Sequence, residues 1–171
     1  NPTGYDIAAQ DWPRIIEILR ARNLVAFLDL AYQGFGDGID EDGAVVRMCL
    51  EAGIDFFIAT SFSKSFSLYG ERVGALSVVC ASKDEASRVL SQLKRVIRAN
   101  YSNPPTHGAQ VVTTVLGTPA LRATWEKELA AMRGRIKQMR IALQHKLGKA
   151  GLKQDMSFIT RQRGMFSYSG L

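Results

Sequence analysis

One lysine, Lys64, stands among hydroxyls at the end of an apolar run, and Arg72 follows eight residues later between Gly70 and Gly74. The full stretch is Ser61-Phe62-Ser63-Lys64-Ser65-Phe66-Ser67-Leu68-Tyr69-Gly70-Glu71-Arg72-Val73-Gly74. A lysine at the mouth of a buried strand is placed for chemistry. Burial disfavours its charged form and can make the amine a nucleophile or base near neutral pH. Serine hydroxyls and a guanidinium bind phosphate, and an amine condenses with a carbonyl. Held in one loop, these groups suit a phosphorylated aldehyde. The competing reading is a solvated lysine in a serine-rich turn.

The elements that must position this loop follow from periodicity. Phe56 to Thr60 reads as a buried strand of a parallel sheet, delivering Ser61 and Lys64. Val25 to Leu30 reads as a second strand, buried on both faces except for Asp29 near its C-terminal end. Open α/β sheets place ligand groups at that end, and a lone acid there could cap a helix, sit on the surface or meet a cation. Only eight residues separate Lys64 from Arg72, too few for a crossover helix, so the strand Val73 to Cys80 is expected to run antiparallel. Helices are expected from Trp12 (capped by Asp11, stopped by Asn23), over Asp42 to Ala52 (ended by Gly53), and from Ser82 or Asp84 to about Asn100. The last of these turns Val89, Leu90, Leu93, Val96 and Ile97 inward. Gly108 to Leu116 reads as a buried helix that His107 starts. Leu121, Trp125, Leu129, Met132, Ile136, Met139, Leu143 and Leu147 then recur at steps of three and four, the stripe of one long amphipathic helix ending near Gly148 to Gly151. His145 lies off that stripe. Met165 to Gly170 alternates like a strand. The Gly34 to Gly38 loop is weak evidence for phosphate binding, because no helix-opening Gly-x-Gly-x-x-Gly follows a strand.

Composition narrows the class. A chain of 171 residues can bury one good core, and 46% apolar with 22% charged residues is ordinary for a globular protein. No run is long enough to span a bilayer and no signal peptide is present, so a cytoplasmic, membrane-free protein is expected. Cys49 and Cys80 are isolated, without metal spacing, and read as reduced core thiols. No metal is expected. The net charge of +6 raises a noncatalytic basic module that binds nucleic acid. The basic residues are spread along amphipathic helices among acids, however, and that reading leaves Asp29, Tyr32, Lys64 and Arg72 unexplained. The loop also satisfies the S-x-x-K pattern of penicillin-binding proteins, but the third K-[ST]-G element is absent and the serine does not open a helix.

Five blocks point to one family. Ser61 to Gly74 resembles the cofactor-lysine segment of the class I pyridoxal-phosphate aminotransferases, in the aspartate/aromatic branch. Asn1-Pro2-Thr3-Gly4, Phe27 to Phe35, Arg98 to Pro105 and Gly164 to Gly170 match the same family in order and spacing. Ser-Phe-Ser-Lys with Phe-Ser-Leu-Tyr-Gly-Glu-Arg is most similar to bacterial aromatic-amino-acid aminotransferases, and the aspartate aminotransferases are near neighbours. The resemblance implies a three-layer α/β/α fold with a mostly parallel sheet and one antiparallel strand, the large domain of a fold type I transferase. It implies pyridoxal 5'-phosphate held as an imine on Lys64. Asp29 would face the ring nitrogen, Asn1 (through a cis Asn1-Pro2 bond) and Tyr32 the phenolic oxygen, and Ser61, Ser63 and Arg72 the phosphate. Arg98 would pair with a substrate carboxylate across a homodimer interface, and Phe166 would lie near the substrate.

The substrates so implied are tyrosine, phenylalanine and aspartate, with 2-oxoglutarate as amino acceptor. A related lyase or decarboxylase on the same fold is the nearest alternative, which Arg98 with Asn100 to Pro105 argues against. Residues 1–118 would belong to the cofactor-binding large domain, 119–150 to a bridging helix and 151–171 to the start of a small domain. The chain begins at Asn1 without Met and inside a family block, so a fragment is expected. The phosphate turn, the ring-stacking aromatic and the arginine for the substrate α-carboxylate fall outside it, so these 171 residues alone are expected not to turn over.

Overall fold

The computed structural model describes residues 3–170. Its centre is a three-stranded mixed sheet of β1 (Ala26–Leu30), β2 (Phe56–Ser61) and β3 (Gly74–Val78), in that spatial order. β1 and β2 are parallel, with Leu30 opposite Thr60. β3 returns antiparallel to β2, with Gly74 opposite Ser61, as the short Lys64 to Arg72 spacing requires. Helices flank the sheet on both sides, so the chain is α/β.

The tight core lies on one face. Ile16 of α1 (Trp12–Ala21) and Val45 and Cys49 of α3 (Ala44–Glu51) meet Ala26, Leu28, Ile54 and Phe56. Fully burying a phenylalanine such as Phe56 is worth about 1.5–3 kcal/mol. β2 is also the central strand, paired on both sides, and it carries the lysine loop. Helix ends follow the sequence signals. Asn23 takes the left-handed conformation (φ 50°) after α1, and the Leu24 N–H donates to the Leu19 carbonyl at 2.9 Å. Gly53 (φ +64°) does the same after α3. α4 (Lys83–Tyr101) starts at Ser82, whose hydroxyl accepts the Glu85 N–H at 3.2 Å, while the Glu85 carboxylate accepts the Ala81 N–H at 2.8 Å.

Several sequence expectations are corrected. Asp11 precedes α1 but makes no side-chain cap bond. β1 is buried on one face only, since Phe27 is 63% exposed on the face opposite the core. In α4, Val89, Leu93 and Ile97 are half-buried, but Leu90 and Val96 are exposed. The helix expected over Asp42 to Ala52 is two, α2 (Ile39–Asp42) and α3, broken at Gly43. The break lets Asp42 turn its carboxylate back into the preceding glycine loop, and a Cβ at Gly43 would stand 2.9 Å from Gln33 Nε2.

Candidate active site

Parallel pairing sends the C-terminal ends of β1 and β2 to one edge, and β3 begins at that same edge. Asp29 and Tyr32 therefore arrive there from β1, Ser61, Ser63 and Lys64 from β2, and Arg72 from the approach to β3. Asp29 lies opposite Ala59, two residues before Ser61. Side chains alternate along a strand, so Asp29 and Ser61 share the face away from the core.

Lys64 sits half-buried between two tyrosines. Its Nζ is 5.5 Å from the Tyr32 ring centroid and 5.8 Å from that of Tyr69. Both distances are within cation–π range, and Lys64 makes no ion pair with a carboxylate among the described residues. Ser61 Oγ accepts the Ser63 N–H at 3.3 Å, and Ser63 itself is buried. Arg72 takes a left-handed backbone (φ 52°) and donates one N–H to the Tyr69 carbonyl at 2.9 Å. Its other donors are unengaged among the described residues. Asp29 is exposed and likewise has no hydrogen-bond or ion-pair partner among them. The loop is braced by α5 (His107–Gly117), where a Cβ on Gly108 would lie 2.9 Å from Val73. His107 starts that helix as expected, and its Nδ1 also meets the Glu71 carboxylate at 2.8 Å.

The long helix α6 (Pro119–Lys149) positions the site more than its apolar stripe indicates. Trp125 stacks on Phe66 (4.7 Å, 21°) and its Nε1–H donates to the Ser65 carbonyl at 2.7 Å, next to Lys64. Leu129 lies against Gly34, where a Cβ would come within 2.5 Å of it. Arg133 donates to the Gly34 carbonyl at 2.8 Å. Lys137 meets the Asp37 carboxylate at 3.0 Å. Residues spaced by four share a helix face, so one face addresses the lysine loop and then the glycine loop.

Arg140 continues that face, one place off the expected stripe. Met139 is half-exposed, whereas Arg140 is 6% exposed. Its Nε donates to Ser167 Oγ (3.1 Å) and its Nη1 to the Gln162 carbonyl (2.6 Å). Nη2 donates to the carbonyls of Gly164 (2.9 Å), Phe166 (2.8 Å) and, weakly, Arg163 (3.5 Å). Burial first, and then the charge of Arg163, push the Arg140 pKa down from its usual value. Arg140 lies four residues after Ile136 of the stripe, and that spacing is the one sequence signal for its burial.

These bonds explain why residues 165–170 form no strand. Gln162, buried after α7 (Phe158–Arg161), donates from its amide nitrogen to the Tyr168 carbonyl at 2.8 Å and accepts the Tyr168 N–H at 3.1 Å. Side chains thus take up backbone groups that a sheet partner would use. The resulting strap brings Phe166 edge-on to Tyr32 (6.2 Å, 89°) and Gly164 beneath the Tyr32 ring, where a Cβ would lie 2.9 Å from it. Tyr69 OH donates to Met165 Sδ at 3.4 Å.

Arg98, Asn1 and the glycine loop complete the positions read from the sequence. Arg98, exposed in the last turn of α4, bonds locally to Ser102 Oγ and does not join the lysine cluster. Asn1 and the Asn1-Pro2 bond lie outside the described residues. The glycine loop does not offer its amides to phosphate, because the Asp42 carboxylate already accepts the N–H groups of Gly34 (2.8 Å), Gly36 (2.8 Å) and Asp37 (2.9 Å). Asp42 was therefore missed as a loop anchor. At the lysine edge the donor set fits a phosphorylated pyridine aldehyde, with an acid and an amine that have no ion-pair partner among the described residues and an arginine that donates only to the Tyr69 carbonyl among them.

Asp37 ties glycine loop, helix and strap together, with Lys137 Nζ at 3.0 Å and Arg163 at 2.8 Å. The Lys137 hydrogen bond, and then Arg163, hold its pKa below the usual carboxylate value. A carboxyl depressed in the fold stabilises it above its unfolded pKa, and the gain is lost as pH falls through the folded value. Asp37→Asn should therefore lower the melting temperature at neutral pH, and the difference should shrink as pH falls below the usual carboxylate range. The cost stays under about 1 kcal/mol because the groups are exposed. Paired thermal melts across pH check this.

The aminotransferase class I and II family model matches residues 1–171. An aspartate aminotransferase of Pseudomonas aeruginosa is 62% identical over the whole chain, and the aromatic-amino-acid aminotransferase of Escherichia coli is 51% identical. Each match covers 43% of the relative's length. The crystal structure of a Burkholderia pseudomallei aromatic-amino-acid aminotransferase covalently bound to pyridoxal phosphate superposes with a TM-score of 0.97 at 60% identity. It covers all of this chain and 43% of that one.

Proposed function

The chain belongs to the class I and II aminotransferase family, and we propose that the whole protein is a pyridoxal-phosphate-dependent aromatic-amino-acid aminotransferase. Tyrosine, phenylalanine and aspartate are its amino donors and 2-oxoglutarate is its acceptor. The observation that carries this is the arrival of Asp29, Lys64 and Arg72, with Tyr32, at the carboxyl edge of β1 and β2, where neither Asp29 nor Lys64 has an ion-pair partner among the described residues. Pyridoxal phosphate, when bound, supplies a ring that takes up electrons from the substrate Cα. Lys64 would hold the cofactor covalently through Nζ, and the same amine, when free, would take up and return the substrate Cα proton. Asp29 would favour a protonated ring nitrogen. Tyr32 and Asn1 would donate to the phenolic oxygen, and Ser61, Ser63 and Arg72 would hold the phosphate.

Phe166 lines the substrate pocket, supported by its contact with Tyr32. Arg98 takes the distal carboxylate of a dicarboxylic substrate in the partner's site of a homodimer, a role compatible with its exposed position. Residues 1–118 form part of the large domain, 119–150 the bridging helix and 151–171 the start of the small domain. No helix among the described residues is long and apolar enough to cross a membrane, and we place the protein in the cytoplasm. The 62% identity to the Pseudomonas relative favours aspartate aminotransferase as the second reading. The ratio of kcat/KM for tyrosine and aspartate decides between them.

Borohydride reduction of the whole protein with pyridoxal phosphate tests the central assignment. Peptide mapping should find the cofactor mass on Lys64, and Lys64→Ala should lose it. Labels scattered over surface lysines, with none on Lys64, would overturn the reading.

A further inference from the structure

Arg140 is a buried cation whose acceptors are four carbonyls and one hydroxyl, with no carboxylate among them. A buried charge without a counter-ion is costly, and hydrophobic packing would fill a helix face at lower cost. What the guanidinium supplies is geometry. Its planar fork fixes several acceptors at once, which a flexible ammonium with three donors does not. All five acceptors lie in the strap at residues 162–167. The same strap places Phe166 edge-on to Tyr32 and Gly164 beneath the Tyr32 ring, and Tyr32 in turn lies over Lys64.

We propose that Arg140 is a positioning residue that sets substrate affinity by fixing the peptide frame carrying Gly164 and Phe166 against Tyr32. This rests on the substrate-lining role given to Phe166 above. Arg140 lies on α6, whose Trp125 also holds the lysine loop through Ser65 and Phe66. One helix therefore sets two walls of the site, and Arg140 fixes the wall that has no regular secondary structure of its own.

A double-mutant cycle in the whole protein tests it, using Arg140→Lys, Phe166→Ala and the pair, with KM and kcat measured for tyrosine. Arg140→Lys should raise KM about tenfold, equivalent to a single lost binding contact, and change kcat less than about threefold. In the Phe166→Ala background Arg140→Lys should change KM little, because residues acting through one contact are not additive. Ser167→Ala, which removes only the Nε acceptor, is carried through the same cycle as a milder perturbation that spares the fold. An unchanged KM, or effects of Arg140 and Phe166 that simply add, would overturn the proposal and leave Arg140 a structural clamp. Borohydride labelling of Lys64 in the same preparations keeps this separate from the cofactor assignment, since a lost label in the unmutated protein indicts the site rather than Arg140.

Discussion

Lys64→Ala in the whole protein should lower transamination by about 10⁴-fold or more, since a positioned general base alone is worth about 10²–10⁴ and Lys64 is also the proposed covalent anchor. Lys64→Arg separates chemistry from charge. A guanidinium can keep a cation between the Tyr32 and Tyr69 rings, which now stand 5.5 and 5.8 Å from Nζ. It cannot shed a proton near neutral pH, so it can serve neither as nucleophile nor as base. Both variants should therefore be inactive, while both fold. Lys64 makes no ion pair among the described residues, and its loop is held by Trp125 and Phe66 rather than by the amine. Substantial activity in Lys64→Arg would mean that the charge, not the amine, is what the site uses. Steady-state assays with tyrosine and 2-oxoglutarate, read beside thermal melts, distinguish these results.

What the sequence disclosed and what it hid divide along a physical line. Local and strand-level features were legible. Apolar runs gave β1 and β2, the eight-residue spacing required β3 to return antiparallel, and Asn23, Gly53 and Ser82 marked helix ends where the chain indeed turns. The placement of the candidate site residues was legible for the same reason, because Lys64, Arg72 and Asp29 lie within or next to those strands. The supports were not. Arg133, Lys137 and Arg140 look like solvated charges on a helix and are joined to loops about a hundred or about twenty-five positions away. Periodicity distinguishes the buried face from the exposed one but does not say that a polar residue on it meets a carbonyl. The stripe was accordingly drawn through Met139 rather than Arg140. The strap failed for a related cause. Alternation at Met165 to Gly170 is a strand signal only where a strand partner exists, and here Gln162 and Arg140 side chains take up the backbone groups.

Asp29→Asn should carry the second large effect, a fall in kcat of about 10²–10³, the cost of removing one preorganised charge from the reacting centre. Asparagine matches the carboxylate in shape and can still accept a hydrogen bond, so the loss measures the negative charge itself. Asp29 is exposed and has no partner among the described residues, and β1 is fixed by Ala26 and Leu28 on the opposite face. Surface substitutions away from such packing change stability by about 0.5 kcal/mol or less, so the melting temperature should hold while kcat falls. Labelling of Lys64 by the cofactor should also survive, because the covalent bond forms at the other end of the site. Asp29→Glu keeps the charge but moves it one methylene along and should lie between the two. If Asp29→Asn retained full activity, Asp29 would be a surface acid at a strand end. The convergence at the β1–β2 edge would then reduce to Lys64 and Arg72, and the ring nitrogen would need its counter-charge from elsewhere in the whole protein.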